Sequence, residues 1–340
     1  MTRAGEAMEL TMQTRTTTAR GWTATSVIQR YGIFIALLLL CLTLAVINDN
    51  FLSTRNLLNV LRQTSINGIL AIGMTFVILT RGIDLSVGSV AAFAGVVAAS
   101  LATTSSTGMI AGAPYPALVA ILAGLAAGVA CGSVSGSIVA RFNVPAFVVT
   151  LGMLSAARGL TLLYSGGRPI PALTEEFRWI GTGSIWGIPV PIFLLLGTFA
   201  VAHFVLTQTR FGRHVYAVGG NPHAAKVSGL PVRRIRFSVY VIAGALAGLA
   251  GMLLAARTGS ALPQAGIAYE LDAIAAVVIG GTSLAGGVGR VSGTLIGALL
   301  IGVMNNGLDL MGVESYYQQV IKGILIVAAV MLDQSKNKQD

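Results

Sequence analysis

The chain has 340 residues, of which 54% are hydrophobic and only 10% charged, with a formal net charge of +10. A soluble domain carries about a quarter charged residues, so the composition excludes an ordinary soluble protein and indicates an integral membrane protein with runs long enough to span a bilayer. In a soluble chain the positive charge would point to nucleic acid; here it orients the protein in the membrane, and no nucleic-acid partner is expected.

Residues 1–29 are rich in Thr and Arg and are expected to form a flexible cytoplasmic segment. The apolar run Ile33 to Ile47 follows. Asn48-Asp49-Asn50-Phe51 is not a small-residue cleavage site, so the run reads as an uncleaved first span and not a signal peptide. Ten membrane segments are predicted at about 31–47, 64–81, 87–103, 117–140, 144–164, 190–208, 237–256, 271–284, 291–309 and 318–333. The expected fold is all-α and polytopic, with about ten transmembrane helices in a membrane domain 30–334 and a short tail, 335–340. An even count puts both termini on one side.

Cys41 and Cys131 lie in apolar runs and read as small buried hydrophobes. His203, His214 and His223 lack metal-ligand spacing, so no metal is assigned. In the fourth segment Gly124, Gly128, Gly132 and Gly136 recur every four residues, a stripe on which another helix backbone can lie closely. The connection 165–189 is rich in Gly, Pro and Trp. Its Trp179 and Trp186 suit either an interfacial belt or an external gate or docking surface.

The stretch Arg210 to Arg236 is polar and basic between apolar runs. It holds Arg210, Arg213, Lys226, Arg233, Arg234 and Arg236, six of the 22 basic residues, and no acid. Lys and Arg are retained on the cytoplasmic side, which places this loop and both termini there. On that assignment the outer segments hold only Arg55, Arg62, Arg168, Arg178 and Arg257. Asn221 as N-cap, Pro222 at the first helical position and Gly229 just past the end predict a short capped helix, and hence a docking surface for a partner.

No G-x-x-x-x-G-K-[ST] occurs, so any ATP is bound by another chain. No Ser/His/Asp or paired-carboxylate constellation occurs either, and no catalytic residue is assigned. Asp84 reads as the N-cap of the segment starting near Leu85, paired with Arg81. The functional alternative is that Gly82 and Gly88 break the helix and expose polar backbone along a pathway. Arg158, inside the fifth span, is expected to meet a buried carboxylate or a backbone carbonyl. Asn67, Thr75, Asn305 and Asn306 either hydrogen-bond between helices or line a passage for a neutral solute. With Asp84 and Ser86 they are the candidate translocation residues. A weak internal echo links Gly82–Gly88 with Gly281–Gly287.

Three motifs occur in order: Gly82-Ile83-Asp84-Leu85-Ser86-Val87-Gly88-Ser89, then Gly219-Gly220-Asn221 with Ala224 and Ser228-Gly229, then Tyr269 through Gly287. With Asn305-Asn306-Gly307 and Ser315-Tyr316-Tyr317-Gln318, the stretch from about Ile28 to Asp333 resembles the permease subunit of ribose-type sugar ABC importers. The resemblance implies an inner-membrane permease that is not itself an enzyme and binds no cofactor, paired with a second permease copy. Cytoplasmic ATPase subunits using ATP and Mg, and a periplasmic sugar-binding protein, would complete the transporter. It also implies that Gly219, Gly220, Asn221, Ala224, Ala225, Ser228 and Gly229 form the coupling helix that meets the ATPase. Other cargoes within the superfamily, such as nucleosides or branched-chain amino acids, and an ATPase-independent secondary transporter are the rival expectations.

Overall fold

The computed structural model describes residues 24–105 and 114–337. They form a helical bundle: α1 (Ala24–Ile47), α2 (Thr54–Leu79), α3 (Val87–Ala102), α4 (Ala117–Phe142), α5 (Ala146–Ser165), α6 (Glu175–Thr182), α7 (Val190–Gln208), α8 (Arg210–Gly220), α9 (Pro222–Val227), α10 (Val232–Thr258), α11 (Tyr269–Ile279), α12 (Val291–Leu310) and α13 (Ser315–Asn337). Among the described residues the only sheet is a small hairpin, β1 (Ser184–Ile185) paired antiparallel with β2 (Ile188–Pro189). Most of segment 1–29 lies outside the described residues, and its last part joins α1. The end of the tail 335–340 is likewise outside them, while 335–337 close α13.

All ten predicted segments fall on helices, but the helices are unequal. Six are long and apolar enough to cross a membrane: α2, α4, α5, α7, α10 and α12. α11 has 11 residues, about 16 Å at 1.5 Å per residue, roughly half of a 30 Å hydrocarbon core. The predicted segment 271–284 is therefore too long at its end, where Gly280 and Gly281 turn the chain out of the helix. The predicted start at residue 64 is too late. Asn56, Asn59, Arg62 and Gln63 look like loop in sequence, yet α2 begins at Thr54, capped by the Ser53 hydroxyl on the Asn56 amide.

α2 and α10 occupy the centre. α2 is buried continuously from Thr64 to Leu79, against α10, α12, α11 and α7. The outer helices show apolar side chains outward, among them Leu118 on α4, Phe147 and Leu163 on α5, and Val201 and Phe204 on α7, as lipid contact requires.

The glycine stripe on α4 meets α10 backbone to backbone. A Cβ on Gly128 would strike the Gly244 carbonyl, one on Gly244 the Gly128 carbonyl, and one on Gly132 the Tyr240 carbonyl. Dispersion between tightly packed backbones is what holds helices together where lipid is as apolar as the protein. The connection 165–189 is tied down rather than loose. Ile170 bridges to Ala261 and Leu173 to Thr103, Phe177 of α6 is buried, and Trp186 at the hairpin tip is exposed. At the periphery α13 is pinned to α11 by the one ion pair among the described residues, Lys322 Nζ to Asp272 Oδ2 at 3.0 Å, with Asp272 itself buried.

Two stability outcomes follow from this packing. Gly128→Leu overpacks the α4–α10 seam and lowers stability by about 1–3 kcal/mol or more, read as a fall in thermal midpoint in detergent. Gly152→Leu, whose Cβ has open space around it, leaves the midpoint unchanged. Lys322→Met strands a buried carboxylate at about 3–5 kcal/mol, and adding Asp272→Leu to it recovers most of that loss in the same assay.

Candidate functional site

The basic stretch folds as two short helices and the start of α10, which carries Arg233, Arg234 and Arg236, in place of one loop with a central helix. α8 is amphipathic, burying Gly212, Val215, Val218 and Gly219, and its N-cap Thr209 accepts from the Gly212 amide. α9 is the short capped helix expected from the sequence. Asn221 Oδ1 accepts from the His223 and Ala224 amides at 3.0 Å each, Pro222 opens the helix, and Gly229 follows at φ +80°.

The seven residues assigned to docking do not share one face. Gly220, Asn221, Ala224, Ser228 and Gly229 are exposed, whereas Gly219 and Ala225 are buried. Gly219 and Gly220 belong to the last turn of α8, so the helix expected over Gly219–Gly229 is the shorter Pro222–Val227. Beside it lies a groove of about 890 Å³ lined by Arg141, His223, Lys226, Arg233, Arg234 and Arg236.

Gly219 is buried because three chain segments converge on it. A Cβ there would overlap the Leu79 carbonyl oxygen at the end of α2 and crowd the Gly287 amide. The Gly287 amide donates to the Leu79 carbonyl at 3.0 Å. A Cβ on Gly287 would stand 2.6 Å from the Gly220 nitrogen, and Gly286 has no room beside Arg81 and the Gly219 carbonyl. Tyr216 of α8 donates its hydroxyl to the Gly289 carbonyl at 2.9 Å, and burial pushes the Tyr216 phenol up. The junction thus joins α8–α9 to the α2–α3 turn and to the α11–α12 turn.

Arg81 closes the junction. Its Nε donates to the Gly219 carbonyl at 2.6 Å and its Nη2 to the Gly220 carbonyl at 2.5 Å. These are C-terminal carbonyls of α8, where a cation is electrostatically favoured. The expected pairing of Arg81 with Asp84 is therefore wrong: the guanidinium is satisfied by backbone carbonyls of another element. Asp84 is not the helix N-cap either. That position is Ser86, and buried Asp84 accepts from the Ser86 amide at 2.9 Å and the Ser86 hydroxyl at 2.6 Å, a local Asx-type turn.

The internal echo is real but one residue out of register. α2 ends with Gly82 N–H to Val77 C=O and Arg81 N–H to Ile78 C=O. α11 ends with Thr282 N–H to Val277 C=O and Gly281 N–H to Val278 C=O. Both are Schellman closures, with the left-handed residue at Arg81 (φ +64°) and Gly281 (φ +85°) respectively. Glycine takes that conformation freely, whereas a residue with a Cβ pays about 1–2 kcal/mol. Arg81 stands where its counterpart is glycine.

The six candidate translocation residues are spread along the bundle. Thr75 is fully buried and hydrogen-bonds the Thr294 hydroxyl at 2.8 Å, tying α2 to α12. Asn306 and Asn56 form a reciprocal amide pair at 2.9 Å in each direction. Asn56 and Thr75 are about 28 Å apart along α2, with buried Asn67 between them. Asn305 is buried on α12, its Oδ1 unpartnered among the described residues. Asp84 and Ser86 sit in the turn that carries Arg81. Arg158 takes the carbonyl alternative, donating to Pro263 and Ala265. At the opposite end of α2 from Arg81 lies a cleft of about 750 Å³, lined by Asn50, Ser53, Arg55, Asn56, Asn59 and Arg62. Sequence reading missed Arg81, Tyr216 and Asn56; the signal for the first was a cation one residue before the helix-breaking Gly82.

Curated relatives cover nearly the whole chain. It is 48% identical over 329 residues to the ribose import permease protein RbsC of Escherichia coli K12, covering 96% of this chain and 100% of the relative. It is 49% identical over 313 residues to RbsC of Bacillus subtilis strain 168, covering 92% and 94%. It is 38% identical over 312 residues to the L-arabinose ABC transporter permease protein AraH of Azospirillum brasilense, covering 92% and 89%. No solved structure matches. The family described as branched-chain amino acid transport system / permease component matches residues 56–330, a stretch that includes most of α2, the Arg81 junction, α9 and α12, and the chain belongs to that family of multi-pass membrane permeases.

Proposed function

We propose that this chain is the transmembrane subunit of an ATP-driven importer that carries a ribose-like monosaccharide across the bacterial inner membrane. The observation that carries the reading is the exposed, Asn221-capped helix α9, which follows directly on α8, whose C-terminal end is locked to the ends of two buried helices. A separate ATPase, using ATP and Mg, would bind the exposed surface at Gly220, Asn221, Ala224, Ser228 and Gly229. A partner ATPase is also what a chain without a P-loop requires for ATP drive. The relatives named for ribose and L-arabinose support a sugar cargo.

In this reading the α9 end faces the cytoplasm, and the ten apolar segments, α11 together with the irregular chain flanking it, give ten crossings with both termini inside. The Asn- and Ser-lined cleft at the other end receives sugar from a periplasmic binding protein, since amides and hydroxyls match both the donors and the acceptors of a polyol. The pathway lies between two permease copies. ATP-driven closure of the ATPase pair moves α9 and alternates access, a shift that nucleotide achieves only by favouring one state over the other.

One observation favours a second cargo. Arg55 and Arg62 in the outer cleft could hold a carboxylate, as a branched-chain amino acid would need. Screening the partner binding protein with D-ribose and L-leucine decides between them. A tight fit for leucine and none for ribose defeats the sugar reading.

Gly220 has open space around it and Ala224 is exposed, so Gly220→Trp and Ala224→Trp insert and fold. Each is expected to lower D-ribose uptake by about tenfold or more while ATP hydrolysis by the partner continues. Wild-type uptake by both variants would remove α9 from the coupling route.

A further inference from the structure

We infer that Arg81 is the positioning residue through which movement of α8 and α9 reaches the α2–α3 turn; this rests on the docking role proposed for α9. Its guanidinium forks onto the Gly219 and Gly220 carbonyls, immediately before the Asn221 cap of α9. Its backbone is the left-handed closing residue of α2. One residue therefore holds the docking element with its side chain and a central buried helix with its main chain. A displacement of α9 reaches the end of α2 through this side chain as well as through the close backbone contact of Gly219 on Leu79.

The sister turn makes the side chain's purpose legible. At Gly281 the same closure is built with glycine, and nothing approaches the place where a Cβ would be. The closure alone does not need an arginine. At residue 81 the strained backbone persists because the side chain does something a glycine could not. The rest of the junction is backbone packed on backbone at Gly219, Gly286 and Gly287, which fixes the distance between the elements but gives little directional grip. The two charge-assisted hydrogen bonds supply that grip, in a geometry that the planar guanidinium satisfies and an ammonium does not.

Arg81→Gly separates this role from a structural one. Glycine fits the left-handed position, so the end of α2 is kept and its strain relieved, while the fork is lost. The permease, its ATPase and its binding protein are reconstituted in vesicles and assayed with D-ribose. The Arg81→Gly complex is expected to assemble at wild-type stoichiometry and to keep basal ATP hydrolysis. Stimulation of hydrolysis by the binding protein, and uptake per assembled complex, are expected to fall about tenfold or more. Arg81→Lys, which keeps the charge without the fork, is expected to fall between.

Wild-type stimulation and uptake in Arg81→Gly would overturn the inference. So would a loss of uptake that merely tracks a loss of bound ATPase, because Arg81 would then be scaffolding. If Gly220→Trp abolishes uptake while Arg81→Gly does not, only Arg81 is misassigned. If neither variant has an effect, the docking reading of α9 fails first. A wild-type complex that takes up no D-ribose sinks the sugar cargo and leaves stimulated hydrolysis to decide for Arg81.

Discussion

A hydrocarbon core offers no hydrogen bonds, so every backbone N–H and C=O within it must find a partner in the protein. This constraint shapes each place where the chain leaves a helix. α2 and α11 stop short of regular loops and close with Schellman turns that return their free groups inward. The last carbonyl of α2 is taken by the Gly287 amide, the carbonyls of Pro263 and Ala265 by Arg158, and those at the end of α8 by Arg81. Irregular backbone is tolerated because other segments complete it, and the completing segments become mechanically joined to it.

Small residues do the joining. Along α4 and α10 they allow two full-length helices to lie at backbone distance, a seam fitted to move as a unit. At the junction they allow three chain ends to meet around Gly219, where a single methyl would not fit. The same device gives rigidity in the first case and a link between elements in the second. The difference is that helices meet along their length in one and at their ends in the other. The lipid-facing helices α4, α5 and α7 need no such precision outward, and their exposed Leu, Phe and Val side chains are correspondingly ordinary.

Much of the architecture was legible because lipid enforces long apolar runs, and the α9 cap because Asn-Pro at one end and Gly at the other are local signals. The glycine stripe on α4 was legible as a period of four, though not its partner, since nothing in one helix names the helix it meets. The start of α2 was hidden by Asn56, Asn59 and Arg62, polar side chains that serve an end of a helix otherwise buried. Asp84 misled because a carboxylate next to a helix start is usually a cap; here the turn needed two more residues. Arg81 was read as its partner because sequence shows neighbours, and the carbonyls it serves are 138 and 139 positions away. Of the two readings open for the polar residues of the spans, Thr75 and Asn306 take the pairing of helices, and nothing in the sequence named Thr294 or Asn56 as their partners.

The Lys322–Asp272 pair has a consequence for how the chain is made. The two residues are separated by 50 positions, so α11 emerges during synthesis well before its cation exists. Asp272 sits in the first turn of α11, where an unpaired carboxylate still opposes deep entry into the bilayer, and α11 is in any case too short to settle there alone. Pairing with Lys322 removes that cost once α13 arrives beside it, so the final helix completes one that was translated earlier.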